Sequence, residues 1–146
     1  MTPYDGNYRP EDQKNEDRIS KLISERWKCD LVRQGHYENF DFIGMRDGEI
    51  LSFVEVRCRS HDYGDFPDCF ISLTKLLKAN ELTQTTGLPC FFVVSWKGLN
   101  ETIGWINLGS IQPKLVRSGK KWSRRENPEI SELLGSIPID KFIKFN

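Results

Sequence analysis

Two carboxylates stand in places where carboxylates are not expected. Asp41 lies in the run NFDFIG and Glu55 in LSFVEVRCR, and the neighbours of both are largely apolar. Acidic side chains are depleted from strands and are rarely buried unless paired or bound to a metal. A pair of this kind can share a divalent cation. Mg2+ or Mn2+ takes oxygen ligands, and the backbone carbonyl of Val56 would be a further donor. The other reading of the pair is structural, with each acid solvated at a sheet end or ion-paired to an arginine.

Whether the two acids meet depends on the turn between their strands. Phe40–Met45 and Ile50–Arg59 read as strands around Arg46-Asp47-Gly48, a hairpin signal. A two-residue Asp47-Gly48 loop would pair Asp41 with Val54 and send Glu55 to the opposite face. A three-residue loop, with Gly48 in the left-handed bulge position, pairs Asp41 with Phe53. Glu55 is then a diagonal neighbour on the same face, roughly 5–8 Å away between Cβ atoms. A shared cation therefore predicts the three-residue loop.

The flanking elements supply further candidates. From Glu11 to Trp27 the residues Ile19, Leu22, Ile23 and Trp27 recur at helical spacing. Glu16 falls on the inward stripe of that helix, three, seven and eleven residues before Ile19, Ile23 and Trp27; an ordinary first-turn acid favoured by the helix dipole is the alternative. Cys29–Gln34 reads as a first strand, and His61–Asp68 as an acidic loop whose Asp62, Asp65 and Asp68 sit beside His61 without metal-ligand spacing. A second helix is expected from Ser72 to Thr86, with Leu73, Leu76, Leu77, Ala79 and Leu82 inward and Gly87 and Pro89 as its stop. If Ser72 caps it, Lys75 is in the first turn, where a cation is disfavoured by up to ~1 kcal/mol. A residue kept against its local preference hints at a role. If the helix starts at Asp68, that argument vanishes. Lys78 is a second basic candidate on this helix, and Gln84 a side chain able to hydrogen-bond water or phosphate. Cys90–Trp96 (CFFVVSW) has the continuous apolar character of a strand buried on both faces. Thr102–Leu108 is a further strand, and the tail IPIDKFIKF offers an edge strand.

The order helix, three strands, helix, strand predicts an α/β protein with a mixed sheet flanked by helices. At 146 residues one domain is expected, residues 11–146, after an irregular N-terminal arm of residues 1–10. The four cysteines are scattered without a CxxC pair and there are two histidines, so zinc ligation is poorly supported and reduced thiols are expected. No apolar run has the length of a signal peptide or membrane span, which makes the cytoplasm the expected location and a membrane no partner. The formal net charge is zero, yet residues 113–125 carry six bases and no acid. Within that predicted basic loop, Lys120, Lys121, Arg124 and Arg125 around Trp122 have the composition of a phosphate-contacting segment with one stacking group.

Asp41, thirteen intervening residues and then Glu55-Val56-Arg57 resemble the signature of PD-(D/E)xK nucleases. The likeness covers most of residues 11–96 and is similar above all to archaeal-type Holliday junction resolvases and small phage or prophage nuclease-like proteins. The end of the chain, GKKWSRRENPEI followed by IPIDKF, is similar to the ends of some phage proteins of this group. The resemblance implies a restriction-endonuclease-like core and Mg2+- or Mn2+-dependent hydrolysis of DNA, by an endonuclease or branched-DNA resolvase of phage or prophage DNA metabolism. It implies Asp41, Glu55 and the Val56 carbonyl as metal ligands, with Glu16 at the place of a first-helix glutamate that joins the metal site in those resolvases. DNA is the expected partner, and a homodimer is left open.

One position departs from the signature. Arg57 stands where the family has lysine, and a guanidinium stays protonated and cannot act as a general base. Some members of the superfamily carry the lysine on the following helix, which implies Lys75 in the catalytic role, with Arg57 assisting at the phosphate. The other implication is a nuclease-derived DNA-binding module that has lost cleavage.

Overall fold

The computed structural model describes residues 10–35, 40–118 and 132–145. The arm of residues 1–10 therefore lies almost wholly outside the described residues, as do Lys120, Lys121, Trp122, Arg124 and Arg125. Among the described residues no helix is long and apolar enough to cross a membrane.

Helix α1 spans Pro10–Trp27. Its Ile19 and Ile23 are fully buried, whereas Leu22 turns outward. Strands β1 (Asp30–Arg33), β2 (Phe42–Arg46) and β3 (Glu49–Arg59) form an antiparallel meander, and β3 then runs parallel to β5 (Cys90–Lys97). β6 (Glu101–Asn107) and the short β9 (Ile143–Lys144) complete a six-stranded mixed sheet in the order β1-β2-β3-β5-β6-β9. β9 is the edge strand expected of the tail.

The meander departs from both sequence-based registers. Arg46 pairs with Glu49, so the loop is the two-residue Asp47-Gly48 turn and not the three-residue one. Both residues have positive φ, 52° and 79°, the conformation that an Asp-Gly type I′ hairpin turn requires. The ladder then slips. Met45 pairs with Ile50 but Gly44 pairs with Ser52, leaving Leu51 as an extra residue on β3. A Cβ on Gly44 would lie 2.5 Å from the Ser52 hydroxyl, so glycine is needed where the strands close up beside this bulge. Beyond it Phe42 faces Val54, which brings the chain before β2 level with Glu55. The bulge does what the longer loop was expected to do.

A second sheet, β4-β8-β7, was not expected from the sequence. β4 (Asp68–Ser72), β7 (Lys114–Arg117) and β8 (Leu133–Pro138) are short, and β4 directly precedes helix α2 (Leu73–Thr86). Asp68 therefore opens a strand and does not belong to the acidic loop. Likewise Lys114 and Arg117 of the predicted basic loop lie in β7. The sequence missed this sheet because its strands have four to six residues and draw their partners from distant segments.

Two cores lie on either face of the large sheet. Ile19 and Ile23 of α1 pack with Phe42, Val54, Val56 and Val93. On the other face Phe92, Val94 and Trp96 pack with Ala79 of α2 and with Ile71 and Ile137 of the small sheet. Successive β5 residues thus serve opposite cores, which explains the unbroken apolar run. Leu77, expected on the inner side of α2, is 61% exposed; among the described residues Leu76, Ala79 and Leu82 join the core there, and Leu73 is half-buried at the start of the helix.

Candidate active site

Glu55 is the centre of the site. It sits mid-strand on β3, facing the α2 side of the sheet, and its side chain is 1% exposed. Arg57, two residues on and on the same face, places Nη2 2.5 Å from Glu55 Oε2. Lys75 reaches the other oxygen from α2, with Nζ 3.2 Å from Oε1. Neither buried Glu55 oxygen takes a well-aligned hydrogen bond, so ion pairing with Arg57 and Lys75 is what holds this carboxylate. Burial pushes the Glu55 carboxyl up, and nearby Asp41 adds to this against the opposing pull of Arg57 and Lys75.

Lys75 arrives there because Ser72 caps α2. The Ser72 hydroxyl accepts from the Lys75 amide at 3.2 Å, so the lysine occupies the first turn as the capping argument required. Its ammonium lies 5.2 Å from the centre of the Phe40 ring. A cation there adds to the positive end of the helix dipole, and the two together favour an anion. Lys78 instead pairs with Glu81, and Gln84 is exposed, so neither is placed in the cluster.

Asp41 precedes β2 and uses its side chain to extend the ladder. Its Oδ2 accepts from the Val56 amide at 3.0 Å, and its backbone carbonyl accepts from Gln34. Arg57 Nη1 stands 3.7 Å from the same carboxylate oxygen and donates to the Val56 carbonyl at 3.3 Å. The segment before β2 brings Asp41, β3 brings Glu55, Val56 and Arg57, and α2 brings Lys75 to one site, with Arg57 in contact with the other three residues of the first two segments.

Glu16 is buried as the helical stripe predicts, but it is held by Arg33, whose Nη1 and Nη2 both lie 3.2 Å from Oε1. Arg33 also bonds Asp17 and lies over the Phe42 ring. Burial raises the Glu16 pKa to about 7, with Asp41 adding to the shift and Arg33 and Arg57 opposing it. Among the described residues no three of His, Cys, Asp and Glu converge as a metal-ligand cluster. The loop acids are employed otherwise. Asp62 accepts from the amides of Gly98 and Asn100, and Asp65 accepts from the Asp62 amide.

A cleft of about 480 Å³ opens beside Glu55, Arg57 and Lys75 and is also lined by Arg59, His61 and Phe66. Arg33 and Arg59 were not singled out in the sequence. Strand alternation puts Arg59 on the face of Glu55 and Arg57, a signal that was available. Nothing in sequence spacing links Arg33 to a helix residue seventeen positions earlier.

A family model described as "Phage putative PDDEXK endonuclease" matches residues 7–145. Among solved structures, Hjc of Archaeoglobus fulgidus, a Holliday junction resolvase from an archaeal hyperthermophile, superposes with a TM-score of 0.52 at 12% identity. The likeness covers 90% of this chain and 92% of that one, and it shows the shared restriction-endonuclease-like fold. No curated protein matches the sequence.

Proposed function

The chain belongs to the phage PD-(D/E)xK endonuclease family, and on that premise we propose that it hydrolyses phosphodiester bonds of DNA with Mg2+ or Mn2+ held by Asp41, Glu55 and the Val56 carbonyl. One observation carries this reading. A buried strand carboxylate, with neither oxygen hydrogen-bonded, meets a second carboxylate, a carbonyl and two cations beside a cleft. Two carboxylates and a carbonyl form the all-oxygen donor set that these cations prefer, and the Glu55 oxygens, held by ion pairs and not by aligned hydrogen bonds, have lone pairs to give. Such a cation, when bound, polarises a phosphoryl oxygen and makes water a usable nucleophile near neutral pH.

The chain's own groups do the rest. Asp41 is fixed by the Val56 amide, which keeps its second oxygen oriented. Lys75, with the α2 N-terminus behind it, offsets charge gathering on the phosphate and orients the attacking water. Arg57 contributes charge and hydrogen bonds but no proton abstraction. Glu16 is a third carboxylate near this field. The basic residues Lys120, Lys121, Arg124 and Arg125, with Trp122, supply contacts to the phosphate backbone. The substrate follows the family, as duplex or branched DNA of phage or prophage metabolism handled in the cytoplasm, and a homodimer would place two such centres on one molecule.

A cleavage assay on linear, nicked, single-stranded and four-way DNA tests the reading. Products are expected with Mg2+ or Mn2+ and none with EDTA. A second reading rests on Arg57 and Lys75, which already neutralise the two acids: a DNA-binding module without cleavage. Wild type that binds DNA but never cuts it, alongside an Arg57→Lys variant that cuts, would establish that second reading.

A further inference from the structure

Arg57 touches every donor assigned to the cation. Its Nη2 meets Glu55, and its Nη1 lies near Asp41 and donates to the Val56 carbonyl. A planar fork can do this, whereas an ammonium is a point charge that cannot. Lys75 meets Glu55 from the helix side, at Oε1.

Charge sharpens the point. Among the described residues Asp41 and Glu55 face Arg57 and Lys75, so these two pairs of charges balance before any metal binds. A divalent ion added to them would leave a double positive excess beside a buried carboxylate, which is unfavourable. One of the two cations must therefore withdraw. Both border the cleft, but Lys75 is 25% exposed and lies over the Phe40 ring, whereas Arg57 is 40% exposed and is the more open of the two.

We infer that Arg57 is an exchangeable, tethered cation: it holds Asp41 and Glu55 in place, yields them to the metal, and then offers its fork to a phosphate of the DNA in the adjoining cleft. The inference rests on the metal reading above. Its consequence is thermodynamic. A phosphate that draws Arg57 away relieves its competition with the metal, and by reciprocity the metal favours the phosphate. Binding of metal and of DNA is coupled through one side chain, which gives the replacement of the signature lysine a purpose.

Mn2+ binding, read by the spin-resonance signal of free Mn2+, tests this without cleavage. The full chain is titrated with and without a phosphorothioate duplex, which resists hydrolysis. Without DNA, Arg57→Ala and Arg57→Gln should bind Mn2+ roughly tenfold more tightly than wild type, within the usual range of coupling between sites. DNA should tighten Mn2+ binding by a similar factor in wild type and change it little in either variant. Arg57→Gln keeps the stem and serves if the alanine variant does not fold. The inference is overturned if both variants bind Mn2+ like wild type, or if DNA tightens binding equally in all three. Asp41→Asn and Glu55→Gln separate the two readings. If they bind Mn2+ as wild type does, the metal reading falls and the exchange falls with it. If they lose Mn2+ while the Arg57 variants match wild type, the exchange alone is overturned.

Discussion

Two glutamate–arginine pairs in this molecule look alike on paper and differ in kind. Glu101 on β6 receives the Arg18 fork at 2.9 and 2.6 Å and the Ser95 hydroxyl at 2.7 Å. The Arg18 hydrogen bonds, helped by Ser95, hold its carboxyl below the ordinary value against a smaller effect of burial. Glu55 also has an arginine, and a lysine besides, yet its oxygens take no aligned hydrogen bond and burial drives its carboxyl up. The first pair is saturated and stabilises the fold. The second is charged, buried and unfinished, which is how a site that must bind something else is built.

The largest expected effect breaks this comparison directly. Glu55→Gln should lower the cleavage rate by on the order of a thousandfold, as expected for losing a preorganised charge at the reacting centre. Its unfolding free energy should hold steady or rise, because burial disfavours the Glu55 charge more than Arg57 and Lys75 favour it, and both cations are partly exposed to water. Glu101→Gln should do the reverse. It should leave cleavage within a few-fold and cost about 1 kcal/mol, a figure kept low because Arg18 is 39% exposed and partly screened. Equal losses of stability in both variants would erase the distinction.

Next in size is Lys75→Ala. Cleavage should slow by roughly a hundredfold while DNA affinity changes much less, since the lysine acts at the reacting phosphate. A variant that cuts like wild type would remove Lys75 from the mechanism and leave the acids alone in it.

The smallest effect concerns Glu16, which lies between the two cases, being paired to Arg33 and yet pushed up to about 7. Between the ordinary glutamate value and pH 7 the folded chain keeps a proton that the unfolded chain has released. Stability should therefore fall as pH rises through that window and level off above it. The whole drift is at most on the order of 3 kcal/mol. Urea unfolding in EDTA at pH 5 and pH 8 measures it. Glu16→Gln should match wild type at pH 5 and exceed it at pH 8, and identical pH dependence in the two would show that Glu16 titrates normally.

Much of this is legible in the sequence. The Asp41 and Glu55 pair, the two helices, the buried β5 and the capped position of Lys75 all followed from patterns within about fifteen residues of one another. Such signals are local, since periodicity and capping are properties of a single segment. The small sheet was not legible, because β4 pairs with β8 across more than sixty residues.

The sequence by itself marked out Asp41 and Glu55, because an acid among apolar strand residues is anomalous whatever surrounds it. Tertiary structure decided how they meet. The two-residue turn alone would have sent Glu55 to the wrong face, and the bulge at Leu51 reverses that by adding one residue to a period of two. Tertiary structure also decided that Arg33 holds Glu16, and that Arg57 reaches one oxygen of each group in the proposed cation site. Contacts of this kind join segments that no spacing rule connects, and only packing the two helices against opposite faces of one sheet brings them within reach.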